Sequence, residues 1–256
     1  MTRARTFIIA AVEFLCSTAG ATSPPKALHR SMKNRRLTPF VLVFLLAVAS
    51  AFAAGERKTF DPLKFSTGDF HGCRPEGQGS DPYLNSLKNR DRSPTTARLY
   101  TVNRLYEKTP TLPKRKVHRS TWTPQQQDLA ARWERQAVMV EGYLVFDAVK
   151  EGKEACNCGS TKYVDHHLWL ASTPSASRAK AMVVEVSPRE WVYHQGWNKA
   201  ETFRRLIRTK EKVRVIGWLT WDQEHAAHLG KYRRTLWEVH PIHQIQVQHG
   251  NQWVAL

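Results

Sequence analysis

The sequence predicts a mainly β fold: a small five-stranded Greek-key barrel of the OB type with one or two helices, preceded by an irregular N-terminal segment. Apolar residues recur at period two in short stretches over 137–146, 165–170, 181–186, 213–219 and 235–247. Gly142 and Gly217 stand inside two of these stretches, where a short strand must bend to close a barrel. A single helical pattern separates the third strand from the fourth. An open antiparallel α+β sheet is the rival arrangement of the same elements.

The elements follow in order. Thr123-Pro124-Gln125-Gln126 carries a helix start, with Thr as N-cap, Pro at the first position and Gln three residues on, so a helix runs to about Arg135. In the first strand Val138, Val140, Leu144 and Phe146 share a face. Asp165-His166-His167-Leu168-Trp169-Leu170 is the second strand, residues 171–180 a polar turn, and residues 181–186 the returning strand, ended by Ser187-Pro188. Asn198, with Glu201 three residues on, starts the next helix. Phe203, Leu206 and Ile207 form its buried stripe, with Arg204, Arg205 and Arg208 off it. The last strand starts at Thr235, breaks at Pro241 and resumes at Ile245.

The stretch 54–122 lacks apolar periodicity and is rich in Gly, Pro, Asn, Asp and Arg, so it reads as loops with one helical turn over Leu84-Asn85-Ser86-Leu87-Lys88-Asn89-Arg90. Gly77 and Gly79 are no phosphate-binding loop, because no strand precedes them and no Gly-Lys-Ser/Thr follows. Lys114-Arg115-Lys116-Val117-His118-Arg119 reads as a solvated basic connector to the domain over 123–256.

Residues 1–53 read as an upstream extension followed by a signal peptide. Met32-Lys33-Asn34-Arg35-Arg36, an apolar run from Phe40 to Ala54, and the small-residue site Ala51-Phe52-Ala53 have the order of a secretory signal. The expected start is Met32, cleavage falls after Ala53, and the product is periplasmic or extracellular. The apolar run is shorter than the roughly 20 residues of a spanning helix, so no stable membrane span is expected after cleavage. The chain carries a net charge of +17; residues 1–53 hold seven Lys/Arg and one acid, which leaves +11 on the remainder. That excess favours anionic partners such as single-stranded nucleic acid or an acidic polymer. In an oxidising compartment Cys73 can bridge to Cys156 or Cys158, with one thiol left over.

Period-two arithmetic gathers polar side chains. With Leu168 and Leu170 inward, Asp165, His167 and Trp169 face the other way; with Met182, Val184 and Val186 inward, so does Glu185; Glu238 and His240 share a face, and Asp222, Glu224, His225 and His228 follow the fourth strand. On an outer wall, Asp165, His167, Glu185, Glu238 and His240 are candidate catalytic residues, and Asp165, His167 and Glu185 candidate ligands for a divalent metal in a phosphodiesterase- or esterase-type hydrolase. No cofactor other than that metal is expected. Such residues also serve as cross-strand pairs that only fix register, as in a structural envelope protein. The third reading is a binding surface: Trp169, Arg204, Arg208, Arg214, Trp218 and Arg233 as aromatic and basic contacts for an anionic ligand.

Asp165-His166-His167-Leu168-Trp169-Leu170, Val184-Glu185-Val186-Ser187-Pro188, Gly217 with Asp222 and His225, and Glu238-Val239-His240-Pro241 resemble the motif series of a family of secreted bacterial OB-fold-like domains. Its pattern is Asp-x-His-Leu-x-Leu, a Glu-bearing strand ending near Pro, a Gly-bearing strand leading to Asp and His, and Glu-x-His-Pro. The resemblance covers residues 137–248, and the stretch from Cys73 through Arg90 is similar to the front of a smaller subset. It implies export and an OB-like fold, and no activity. The chain departs from the pattern at Ser187, where Pro often follows the hydrophobic residue directly, and at Trp237 before the Glu.

Overall fold

Seven strands form one sheet: β1 (Arg98–Thr101), β2 (Ala137–Glu151), β3 (Asp165–Ala171), β4 (Met182–Val186), β5 (Lys212–Trp221), β6 (Trp237–His249) and β7 (Gln252–Ala255). The computed structural model describes residues 60–114 and 118–256, all within one unit, Lys58–Leu256. The expected start at Met32, the signal peptide and the Ala53 cleavage site lie outside the described residues. Among the described residues no helix is long and apolar enough to cross a membrane.

The pairings close a ring through five strands, in the order β2-β3-β4-β6-β5 and back to β2. All are antiparallel except β4 with β6. The ring encloses Val140, Leu168, Leu170, Val184, Leu219 and Val239, each almost fully buried. The register of β5 against β6 shifts at Gly217, whereas that of β2 against β3 shifts between Val145 and Val149 and not at Gly142; both glycines stand where strands approach closely. A Cβ on Gly142 would lie 2.6 Å from the Ala171 carbonyl oxygen, and one on Gly217 would collide with the Pro241 carbonyl and lie 2.8 Å from Val239 Cγ1.

Helix α3 (Pro124–Glu134) begins with the expected capping box of Thr123 and Gln126, while α1 (Pro82–Lys88), α2 (Val102–Lys108), α4 (Pro188–Trp191) and α5 (Ala200–Thr209) complete the set among the described residues. Helix α5 buries Phe203 and Leu206 against the ring, as its apolar stripe requires. Its N-cap is Lys199 with no side-chain cap bond, not Asn198. Two strand expectations need correction. Phe146 is half exposed at φ +62° inside a bulge between Val145 and Val149, so it leaves the face it was expected to share. Strand β6 runs through Pro241 without breaking, because register shifts around Gly217 absorb the irregularity.

The stretch expected to be irregular is more ordered and more buried than its composition suggests. Its helix α1 starts where the Asp81 side chain accepts from the Leu84 N–H, and Leu84 and Leu87 pack on Phe60. Beyond it Arg90 is fully buried and donates to the carbonyls of Leu87, Glu134 and Leu219 and to the Thr220 hydroxyl. Strand β1 adds to β2 in parallel. Arg119, expected in a solvated connector, is buried in a two-point pair with Glu134 at 2.8 and 2.7 Å. A disulfide joins Cys73 to Cys158, and Cys156 is a buried free thiol.

Candidate functional site

Register brings the acids and imidazoles together. His167 on β3 is the cross-strand partner of Glu185 on β4. Val184 pairs with Val239 on β6, so alternation turns Glu185, Glu238 and His240 to the opposite side of the sheet. Glu185 Oε2 lies 3.0 Å from His167 Nε2 and 3.0 Å from His240 Nδ1, and His240 Nε2 lies 3.8 Å from Asp165 Oδ2. The five residues therefore form one cluster.

They do not form an outer wall. Asp165, His167, Glu185, Glu238 and His240 are all buried, four of them completely. The N-terminal segment covers the face and inserts Lys88, whose Nζ lies 3.2 Å from Asp222 Oδ2 and 4.0 Å from Glu238 Oε1. Arg233 reaches in from the β5–β6 loop, 3.2 Å from Glu238 and 3.8 Å from Asp222, and His225 Nδ1 sits 2.6 Å from Asp222. Glu154, from the β2–β3 loop, lies 3.7 Å from His167.

Proton affinities follow from this packing. Burial would lower the Lys88 amine, but Asp222 and Glu238 outweigh it and hold the amine well above its ordinary value. Burial would raise Asp222, yet Lys88, His225 and Arg233 keep it well below the usual carboxylate range. Burial likewise opposes the outcome at Glu185, where His167 and His240 pull the carboxyl far down. Against its own desolvation, His240 is driven up to about 10 by Glu185. Burial and the neighbouring Glu154 push Asp165 well above the carboxylate range; Glu154 itself, despite burial, falls to about 2 through hydrogen bonds with Asp165 and His167.

Three groups bring ligand-type atoms within 4.8 Å of one another: Asp165, Glu185 and His240; Glu154, Cys156 and Asp165; and Glu151, Glu154 and His167. The expected set of Asp165, His167 and Glu185 is thus divided: His240 joins the two acids, and His167 is grouped with Glu151 and Glu154.

An open cleft borders the cluster at His167, His225 and Arg233. This cleft of about 240 Å³ is lined by His167, Glu151, Trp169, Arg178, His225, His228, Tyr232 and Arg233. At its mouth the Arg178 guanidinium lies 4.1 Å from the Phe146 ring centre, 4.3 Å from that of Tyr232 and 5.0 Å from that of Trp169. Among the described residues it has no carboxylate partner. The Trp169 indole donates to the Tyr232 carbonyl at 2.7 Å, and the Arg234 N–H to the Ala181 carbonyl at 2.8 Å, so the β3–β4 turn and the β5–β6 loop form the two lips.

The expected basic and aromatic surface is dispersed. Arg204 pairs with Asp147, Arg208 with Glu201, Arg214 with Glu141, and Arg233 with Glu238. Trp218 is buried against Phe65, with the Arg90 guanidinium 5.3 Å from its ring. Only Trp169 and Arg233 line the cleft. Sequence reasoning missed Lys88, Glu154 and Arg178. Arg178 lies in a polar turn that gave no signal; Lys88 lies three residues C-terminal to Asn85 on a helical turn whose covering role no local pattern announces.

The chain matches no protein-family model, and no curated protein sequence is significantly similar to it.

Proposed function

We propose that this chain is an exported binding module of the OB type whose cleft takes a polyanion. The strand order β2-β3-β4-β6-β5, with its parallel β4–β6 contact and a helix between β4 and β5, supports the OB reading. In that architecture the second and third strands and the loop between the fourth and fifth carry ligands. Here those parts correspond to β3, β4 and the β5–β6 loop, which border the cleft. The resemblance to secreted OB-fold-like domains points the same way.

One observation carries the ligand class. Arg178 is packed among three rings, with its charge unclaimed by any described carboxylate. A guanidinium confined by such packing supplies N–H donors for a phosphate or carboxylate. The arginines expected to do this already have carboxylate partners.

The hydrolase reading has weaker support. Its acids and imidazoles are sealed beneath the N-terminal cover, and of the five only His167 lines the cleft. The structural reading accounts for the cluster and leaves Arg178 without a role.

Fluorescence anisotropy at low salt tests the proposal with two labelled probes, a single-stranded oligonucleotide and a sulfated or uronic-acid glycan. At least one probe binds, and its affinity falls linearly with salt on a logarithmic plot. Arg178→Ala weakens binding about tenfold or more, the worth of one charge-assisted contact, whereas Arg204→Ala changes it little. No binding of either probe, or equal affinity in the Arg178 variant, overturns the proposal.

A further inference from the structure

We propose that Asp165, Glu185 and His240 bind one divalent transition-metal ion inside the covered face of the sheet. The three come from β3, β4 and β6, so the frame of the sheet fixes their separation. One donor atom from each lies within 4.8 Å of the others. Zinc-type bonds of about 2.0–2.2 Å place ligand atoms roughly 3.3 Å apart in a tetrahedron, a small side-chain contraction from this arrangement. An acid pair with one imidazole suits zinc or manganese.

A second observation points to a ligand. Asp165 Oδ1, Glu185 Oε1 and His240 Nε2 are buried and have no hydrogen-bond partner among the described residues. Glu185 Oε2 has the His167 and His240 imidazoles at 3.0 Å. Buried polar atoms are nearly always satisfied, and several unsatisfied atoms around one point call for an occupant.

The outer contacts fit as well. Glu238 Oε1 lies 3.3 Å from His240 Nδ1. With the Nδ1 proton directed at that carboxylate, Nε2 stands 3.8 Å from Asp165 and would give up its own proton on binding an ion. Metal-binding histidines usually have such a carboxylate behind them, fixing ring and tautomer. Glu238 is in turn held by Arg233.

Sealed from solvent, such an ion ties three strands together, and its role is to hold the fold.

The test uses the purified full chain without a histidine tag. Elemental analysis should find about one equivalent of zinc or manganese. Chelation should lower Tm by about 5–10 °C, the shift expected for a site at a hundredfold excess over its dissociation constant. Added ZnCl2 or MnCl2 should restore it. Glu185→Gln should lose the metal and the Tm response, while His225→Ala, outside the three ligands, should keep both. Metal below a tenth of an equivalent, with Tm unmoved by either salt, overturns the proposal and leaves ordered water as the occupant. Full metal content in Glu185→Gln also overturns it, by placing the ion elsewhere. If that variant does not fold, the wild-type titrations decide alone.

Discussion

Replacing Lys88 by Met tests whether the N-terminal segment is part of the buried charge network. Met keeps most of the apolar stem and removes only the ammonium, which lies 3.2 Å from Asp222 and 4.0 Å from Glu238 in a site closed to water. Breaking a buried pair by deleting one partner costs about 3–5 kcal/mol, because the other charge stays buried. Arg233 and His225 remain near Asp222, at 3.8 and 2.6 Å, so the lower end, about 3 kcal/mol, is the expectation. For a unit of this size that lowers Tm by about 6–12 °C. Urea unfolding followed by tryptophan fluorescence at pH 7 measures it. Lys88→Met combined with Asp222→Asn should recover about 1–3 kcal/mol, since the two groups touch. The raised Lys88 pKa means its contribution is complete below the free-lysine value near 10.4 and is lost as pH rises through the folded value. The lowered Asp222 pKa means its contribution is complete well above the free value near 3.9 and is lost as pH falls through the folded value. The deficit of the variant should therefore stay level from about pH 6 to pH 9 and shrink in acid. A loss below about 1 kcal/mol, or no coupling with Asp222, would refute the placement of Lys88 in the network.

Gly217→Ala should destabilise by about 1–3 kcal/mol or more, because its Cβ meets the Pro241 carbonyl and Val239; a neutral result in denaturant unfolding would mean that β5 and β6 cross less closely. Cys158→Ser opens a link between residues 85 apart in sequence and should cost about 4 kcal/mol, read as the difference in unfolding free energy from wild type under oxidising conditions; equal stabilities would contradict the bridge. The His225 imidazole, with Asp222 2.6 Å away, should titrate above the ordinary value near 6.5 by NMR, so its stabilising contribution is complete below that pH and fades as pH rises through its folded pKa. A His225 pKa at or below 6.5 would contradict the pair.

Much of the ring was legible because its signals are local. Thr123 and Gln126 capped α3, alternation outlined β2 to β6, and Gly142 and Gly217 marked close approaches between strands. The same alternation put Asp165, His167 and Glu185 on one side of the sheet. It could not say whether that side met water. Every residue of β3 and β4 is buried, which needs a covering layer on both faces, and that layer comes from residues far off in sequence. The cover was hidden because it is held by buried cations and turns rather than by a long apolar stripe: Lys88 and Arg90 read as surface residues anywhere else. The cleft was missed for a related reason. Arg178 acquires its setting from Phe146, displaced by a bulge, and from Tyr232 on another loop. The arginines at helical spacing were easier to notice, and Glu201, Asp147 and Glu141 had already claimed them.

Native-state amide hydrogen exchange on the intact chain tests the covering layer most directly. If helix α1 seals the acid and imidazole cluster, amides of residues 84–90 should exchange as slowly as those of residues 165–170, both opening only with global unfolding. Rapid exchange over 84–90 beside a protected β3 would show the cluster open to water and would contradict the sealed site.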